Sequence, residues 1–138
     1  MGFELYLMSF AKGNPAGIDR AAVRVLFPVV GEESEHDHLR VRYTPTETCT
    51  IDVTPVSGDP SRVESVCIHR PCGDKRLFDA MFSLLRMGSV VLVFPGDAPP
   101  LVANESTVCD LPSDMVDSMG QPRCVHSAEE ILQIIRNA

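Results

Sequence analysis

The stretch Val63–Pro95, VESVCIHRPCGDKRLFDAMFSLLRMGSVVLVFP, decides the fold. It reads as a strand, a tight turn, a helix and a wholly apolar strand. Asp74 can cap the helix, and Gly88 follows it at a position favoured by a left-handed C-terminal cap. Between them Leu77, Phe78, Met81, Phe82, Leu84 and Leu85 form a wide stripe, with Lys75, Asp79 and Arg86 left for water. That pattern predicts a long amphipathic helix laid across a sheet. Ser89–Phe94, which holds the apolar run Val90-Val91-Leu92-Val93-Phe94 closed by Pro95, shows no alternation, so this strand is expected inside the sheet with both faces covered.

Upstream, Phe3–Phe10 alternates large apolar residues with smaller or polar ones, as a half-buried strand does. The run Gly13-Asn14-Pro15-Ala16-Gly17 breaks it. Asp19 then resembles an N-cap, and Pro28 stops the short helix after Phe27. On that helix Ala22, Val25 and Leu26 share one face. Leu39–Tyr43 and Cys49–Val53 both alternate in period two around the turn-like Thr44–Thr48. Ser57-Gly58-Asp59-Pro60 is a second turn leading into Val63–His69. Three antiparallel strands in a meander are the simplest arrangement.

Downstream, short helices are expected at 104–109 and 112–119, and a short strand at Arg123-Cys124-Val125. Ser127-Ala128-Glu129-Glu130 fits a capping box for a last helix, which would dock Ile131, Leu132, Ile134 and Ile135 on the body. No repeat, linker or low-complexity segment appears. The expectation is one α+β domain over 1–138, with a mixed, mostly antiparallel sheet, the long helix packed on it and short C-terminal helices.

A length of 138 residues lets such a domain bury roughly two thirds of its unfolded surface. The apolar runs are too short to span a bilayer, and Glu4 sits where a signal peptide would be uncharged. A cytoplasmic location is therefore expected. Five cysteines, Cys49, Cys67, Cys72, Cys109 and Cys124, are an odd number without a C-x-x-C pair. They read as reduced thiols, mostly small buried apolar residues.

The net charge is −7, and it is unevenly spread. Residues 31–60 and 91–138 each carry seven acids against two bases, flanking a mildly basic middle. An acidic chain repels phosphate, so nucleic acid is not expected as a direct ligand. A basic protein partner is electrostatically favoured.

The densest reactive cluster is Cys67-Ile68-His69-Arg70-Pro71-Cys72. As a metal site, Cys67, His69 and Cys72 would offer two thiolates and an imidazole, and a strand would aim Cys67 and His69 at one face. Zinc ligands, however, usually come in two separated groups, and Cys124 with His126 is a poor second group. As a nucleophile, Cys72 would lie just before a helix, whose N-terminus lowers a thiol pKa, with His69 as base. No oxyanion hole can be located for it. The competing reading makes Arg70–Asp74 a rigid turn between strand and helix. His36 and His38, with Glu33, Glu35 and Asp37, read as a solvated acidic loop. No glycine-rich phosphate loop, G-x-S-x-G, H-E-x-x-H or paired-carboxylate motif occurs. Accordingly no catalytic residue, cofactor or metal is assigned.

Three segments carry a resemblance: Phe3–Phe10 with Pro15-Ala16-Gly17-Ile18, Ile68-His69-Arg70-Pro71-Cys72-Gly73-Asp74 through Pro95, and Leu111-Pro112-Ser113-Asp114-Met115. Together they resemble small bacterial immunity proteins, the antitoxic partners encoded beside polymorphic or type VI-secreted toxins. The resemblance covers most of the chain but rests on scaffold residues. It implies a cytoplasmic inhibitor that covers the active site of one cognate toxin, with a nuclease and its basic groove fitting the acidic balance best. The expected contact residues are Glu32, Glu33, Glu35 and Asp37, then Asp97, Asp110, Asp114 and Asp117. The alternatives are a small thiol-dependent enzyme or metal-binding protein using Cys67, His69 and Cys72, or a plain structural or regulatory module.

Overall fold

The computed structural model describes residues 3–30, 37–96 and 98–137. Alternation along the first strand, β1 (Glu4–Ala11), buries Leu5 and Leu7 on one face and turns Glu4, Tyr6 and Met8 to the other. Lys12 and Gly13 both take positive φ, 51° and 80°, and reverse the chain into β2 (Asn14–Pro15). Two successive positive φ values are the signature of the tight hairpin turn whose twist matches the flanking strands. After β3 (Ile18–Asp19) comes α1 (Arg20–Leu26), where the Asp19 carboxylate accepts the Ala21 N–H at 3.0 Å. The expected apolar face of this helix is corrected: Val23 is buried, whereas Val25 is 83% exposed. Val23 and Phe27, one turn apart, set the docking, which rotates Val25 away from the core.

The meander is β4 (His38–Arg42), β5 (Thr48–Val56) and β6 (Asp59–His69), all antiparallel. Its second turn is tighter than the sequence suggests. Val56 pairs with Asp59 across Ser57 and Gly58, and the register shifts near Pro55. His38 begins a strand and is not part of the acidic loop.

The main helix, α2 (Lys75–Leu85), is capped by Asp74 through the Arg76 N–H at 2.9 Å. Eleven residues make it an ordinary helix, not a long one, because it ends at Leu85 with Arg86 as its C-cap and the chain turns left-handed at Gly88. It buries Leu77, Phe78, Ala80, Met81, Leu84 and Leu85. Gly88 is left-handed, with φ 79°, two residues beyond the cap Arg86.

The strand β7 (Val90–Val93) lies between β1 and β8 (Leu101–Val102), as its apolar run predicts. A 3-10 helix, Glu105–Asp110, then leads into α3 (Ser113–Met119), β9 (Arg123–Cys124) and α4 (Ala128–Arg136). The Ser127 hydroxyl accepts the Glu130 N–H at 3.2 Å, and Glu130 reaches back to the His126 N–H at 3.2 Å. This is the expected capping box, with its return bond one residue early.

Among the described residues the sheet runs β4-β5-β6-β1-β7-β8-β9, antiparallel except for β8 with β9, with β2 beside β1 and β3 beside β6. The fold is therefore α+β. One face carries α1, α2 and α4 over Leu5, Leu7, Ile51, Ile68, Leu92 and Leu101. On the other face, the crossover from β8 to β9 packs Val108, Leu111, Met115 and Val116 onto Phe10, Val91 and Val102. That cover reaches only as far as β1. Among the described residues nothing covers the half of the face formed by β4, β5, β6 and the start of β1. Among the described residues no helix is long and apolar enough to cross a membrane.

Candidate functional site

The open half-face follows from alternation and register. Period two sends His38, Arg40 and Arg42 of β4, Thr50 and Asp52 of β5, Cys67 and His69 of β6, and Glu4 and Tyr6 of β1 to the same side. Asp52 stands between His38 and Cys67 on neighbouring strands, Cys67 faces Tyr6, and His69 stands between Thr50 and Glu4.

These side chains form one connected cluster. Asp52 Oδ1 lies 2.5 Å from His38 Nδ1, and its Oδ2 lies 2.5 Å from His69 Nε2. The other ring nitrogen of His69, Nδ1, is 3.4 Å from Glu4 Oε1. The second Glu4 oxygen accepts the Tyr6 hydroxyl and, at 3.6 Å, the Cys67 thiol. Burial pushes Asp52 upward, but the hydrogen bonds from His38 and His69 prevail and hold it below the usual carboxylate range. Glu4 is held low chiefly by the Tyr6 hydroxyl, and Tyr6 is pushed up to about 12 by the same bond. Partial burial, then Glu4, raises the Cys67 thiol to about 11.

Beside this cluster, Arg40, Arg42, Pro45, Thr48, Thr50, His69 and Arg70 line an open cleft of about 550 Å³. Arg70 adopts φ 47°, a left-handed conformation uncommon for a residue with a side chain. Neither Arg40, Arg42 nor Arg70 forms an ion pair among the described residues. The face thus presents both signs of charge, acid toward β1 and base toward the end of the β4–β5 hairpin.

The structure divides the reactive cluster seen in the sequence. Cys67 and His69 share the open face, as their spacing predicts. Cys72 does not join them. It packs against the helix-side core, and its thiol is raised by burial. The reading of Cys72 as a nucleophile with His69 as base is therefore corrected, since the two lie on opposite sides of the sheet. In the metal reading Cys72 is replaced by Glu4. Cys124 packs under α3, and His126 is exposed.

Of the expected contact residues, Glu32, Glu33, Glu35 and Asp97 lie outside the described residues. Asp37 pairs with Arg20 at 3.2 Å, beside the outer strand β4. Asp110 accepts the Ser89 hydroxyl and, at 3.1 Å, the Lys12 N–H, so it ties the β1 turn to the 3-10 helix. Asp114 and Asp117 are exposed on α3, and neither is in an ion pair among the described residues. Among the described residues, Asp37 therefore lies on one side of the open face and Asp114 and Asp117 on the other. Glu4 and Asp52 escape sequence reasoning. The only signal for them is a carboxylate at a polar position of each alternating strand. No family model, curated protein or solved structure matches this chain.

Proposed function

We propose that this chain is an immunity-type protein that binds a cognate bacterial toxin domain, a nuclease with a basic groove, and neutralises it by covering its active site. The observation that carries this reading is the half-covered sheet, whose strands β4, β5, β6 and β1 present a broad polar face flanked by exposed carboxylates. A surface of this kind suits contact with another macromolecule, where electrostatic complementarity accelerates encounter and orients docking. Asp114 and Asp117 on one flank and Asp37 on the other are the acids it would use, together with Glu32, Glu33, Glu35 and Asp97. Asp110 has a structural task and acts only by shaping its flank. The resemblance over Phe3–Phe10, Ile68–Pro95 and Leu111–Met115 supports the same reading, as does the net charge of −7.

The test is to look beside the coding sequence of this chain for a large open reading frame with a toxin-like C-terminus and to co-express that C-terminal domain with the chain; lack of such a neighbour would count against the reading. Restored growth and a stable complex that survives gel filtration are expected. Unrelieved toxicity in cells that contain the folded chain would remove the reading.

A further inference from the structure

We infer that Glu4, Cys67 and His69 form a binding site for a borderline-soft divalent cation, with zinc as the natural occupant. The inference concerns the open face alone and stands whether or not a toxin partner exists.

One donor atom from each of the three residues lies within 4.8 Å of the others. Tetrahedral coordination at ordinary zinc–oxygen, zinc–nitrogen and zinc–sulfur distances separates neighbouring donors by about 3.4–3.6 Å. Glu4 Oε1 lies 3.4 Å from His69 Nδ1, and the other carboxylate oxygen, Oε2, lies 3.6 Å from Cys67 Sγ, so each ligand pair of the glutamate is already at coordination spacing through one of its oxygens. A cation entering here would draw together three donors that already lie within 4.8 Å of one another. It displaces the thiol proton to solvent and replaces the Cys67-to-Glu4 hydrogen bond with a shared ion.

The surroundings are also those of a metal site. With Nδ1 on the cation, His69 keeps Nε2–H for Asp52 at 2.5 Å, and Asp52 is steadied by His38. This is the carboxylate–histidine–metal arrangement that fixes the tautomer and orientation of a metal-bound imidazole. A glutamate and a thiolate supply two negative charges to match a divalent ion. The thiolate and imidazole select zinc or cobalt over magnesium or calcium, which prefer oxygen alone. Three protein ligands on an open face leave a fourth position for water or an outside donor, as in catalytic rather than structural zinc sites. The three ligands come from two strands adjacent in space but some sixty residues apart in sequence, so spacing rules miss the set.

The experiment is titration of the reduced full-length chain with Zn²⁺ against a competing indicator, and with Co²⁺ followed by absorption. One equivalent of each should bind, with a thiolate-to-cobalt charge-transfer band. Millimolar Mg²⁺ and Ca²⁺ should leave the titration unchanged. The band should vanish in Cys67→Ser and persist in Cys72→Ser, and Asp52→Asn should weaken binding by about 10–100-fold. Circular dichroism checks the fold of each variant. Should Cys67→Ser not fold, a folded His69→Gln or Glu4→Gln takes its place: loss of stoichiometric binding there supports the site, and full retention overturns it. Absence of stoichiometric uptake by the wild-type chain also overturns the inference. So does a cobalt band that survives Cys67→Ser or disappears in Cys72→Ser.

Discussion

Asp52 and His69 meet diagonally across β5 and β6, with Oδ2 and Nε2 2.5 Å apart, although neither directly faces the other in the ladder. Diagonal neighbours on one sheet face are within reach of long side chains, so a carboxylate can serve imidazoles on both sides. The same geometry lets His69 turn its remaining nitrogen toward Glu4 on β1. The cluster is thus a product of register, and the register is held by the core beneath it.

That core depends on α2. Leu84 of α2 is fully buried in the helix-side core, so Leu84→Ala should cost about 2–5 kcal/mol in equilibrium denaturation. Leu84→Asp should leave no cooperative transition, because it places an unpaired charge in the core. A Leu84→Asp variant that melts like the wild type would contradict this packing.

Gly17 is set by a close approach. A Cβ at this position would lie 2.8 Å from the Cβ of Arg62, whose guanidinium also donates to the Gly17 carbonyl. The Arg62 Cβ is anchored to β6 and cannot swing aside. Gly17→Ala is therefore expected to destabilise by about 1–3 kcal/mol, measured as a lower urea midpoint at unchanged slope.

Asp110 links the β1 turn to the 3-10 helix and is held below the usual carboxylate range, first by the Ser89 hydroxyl and then by the Lys12 amide. A carboxylate whose pKa is depressed on folding stabilises the native state above its unfolded pKa of about 3.9. That stability is lost as pH falls through the lower native value. Asp110→Asn should reduce stability at neutral pH and flatten the acid limb of a stability-versus-pH curve. Curves of equal slope through the acid limb would show that folding does not depress the Asp110 pKa.

Thiol reactivity should follow exposure and burial. Burial first, then Cys72, raises Cys49 to about 12, and burial raises Cys72 also. Cys109 is exposed. Alkylation of the folded chain at neutral pH should modify Cys109 first and leave Cys49 for the unfolded state, as read by peptide mass mapping. Early labelling of Cys49 would place it nearer solvent than the core allows.

Asp114 and Asp117 are exposed on α3, so reversing both to Lys should change stability by less than about 1 kcal/mol. If α3 belongs to the toxin-facing surface, association should slow by on the order of tenfold at low salt. The difference should shrink as added salt screens it. An on-rate indifferent to the reversal excludes this flank from the interface.

The β4–β5–β6 meander is legible in the sequence because its strands follow one another, and Thr44–Thr48 and Ser57–Gly58 mark the turns. The caps at Asp19, Asp74 and Ser127 are legible because they are local hydrogen bonds. The buried face of α1 is not, since Val23 and Val25 are equally apolar and only packing chooses between them. The site is half visible: alternation puts Cys67 and His69 on one face, but no local signal ties either to Glu4.

By itself the sequence determined that the chain alternates helix and strand around an apolar core, which residues of each strand share a side, and that Cys67 and His69 point together. Propensity, caps and period-two alternation are properties of neighbouring residues, so they survive without a fold. Only the tertiary structure decided that β1 lies between β6 and β7, that the crossover to β9 stops short so that one face of β4, β5, β6 and the start of β1 is uncovered among the described residues, and that Glu4 comes to Cys67 and His69. Strand order and cover are settled by the burial of distant apolar faces against one another, a quantity no local stretch of sequence contains.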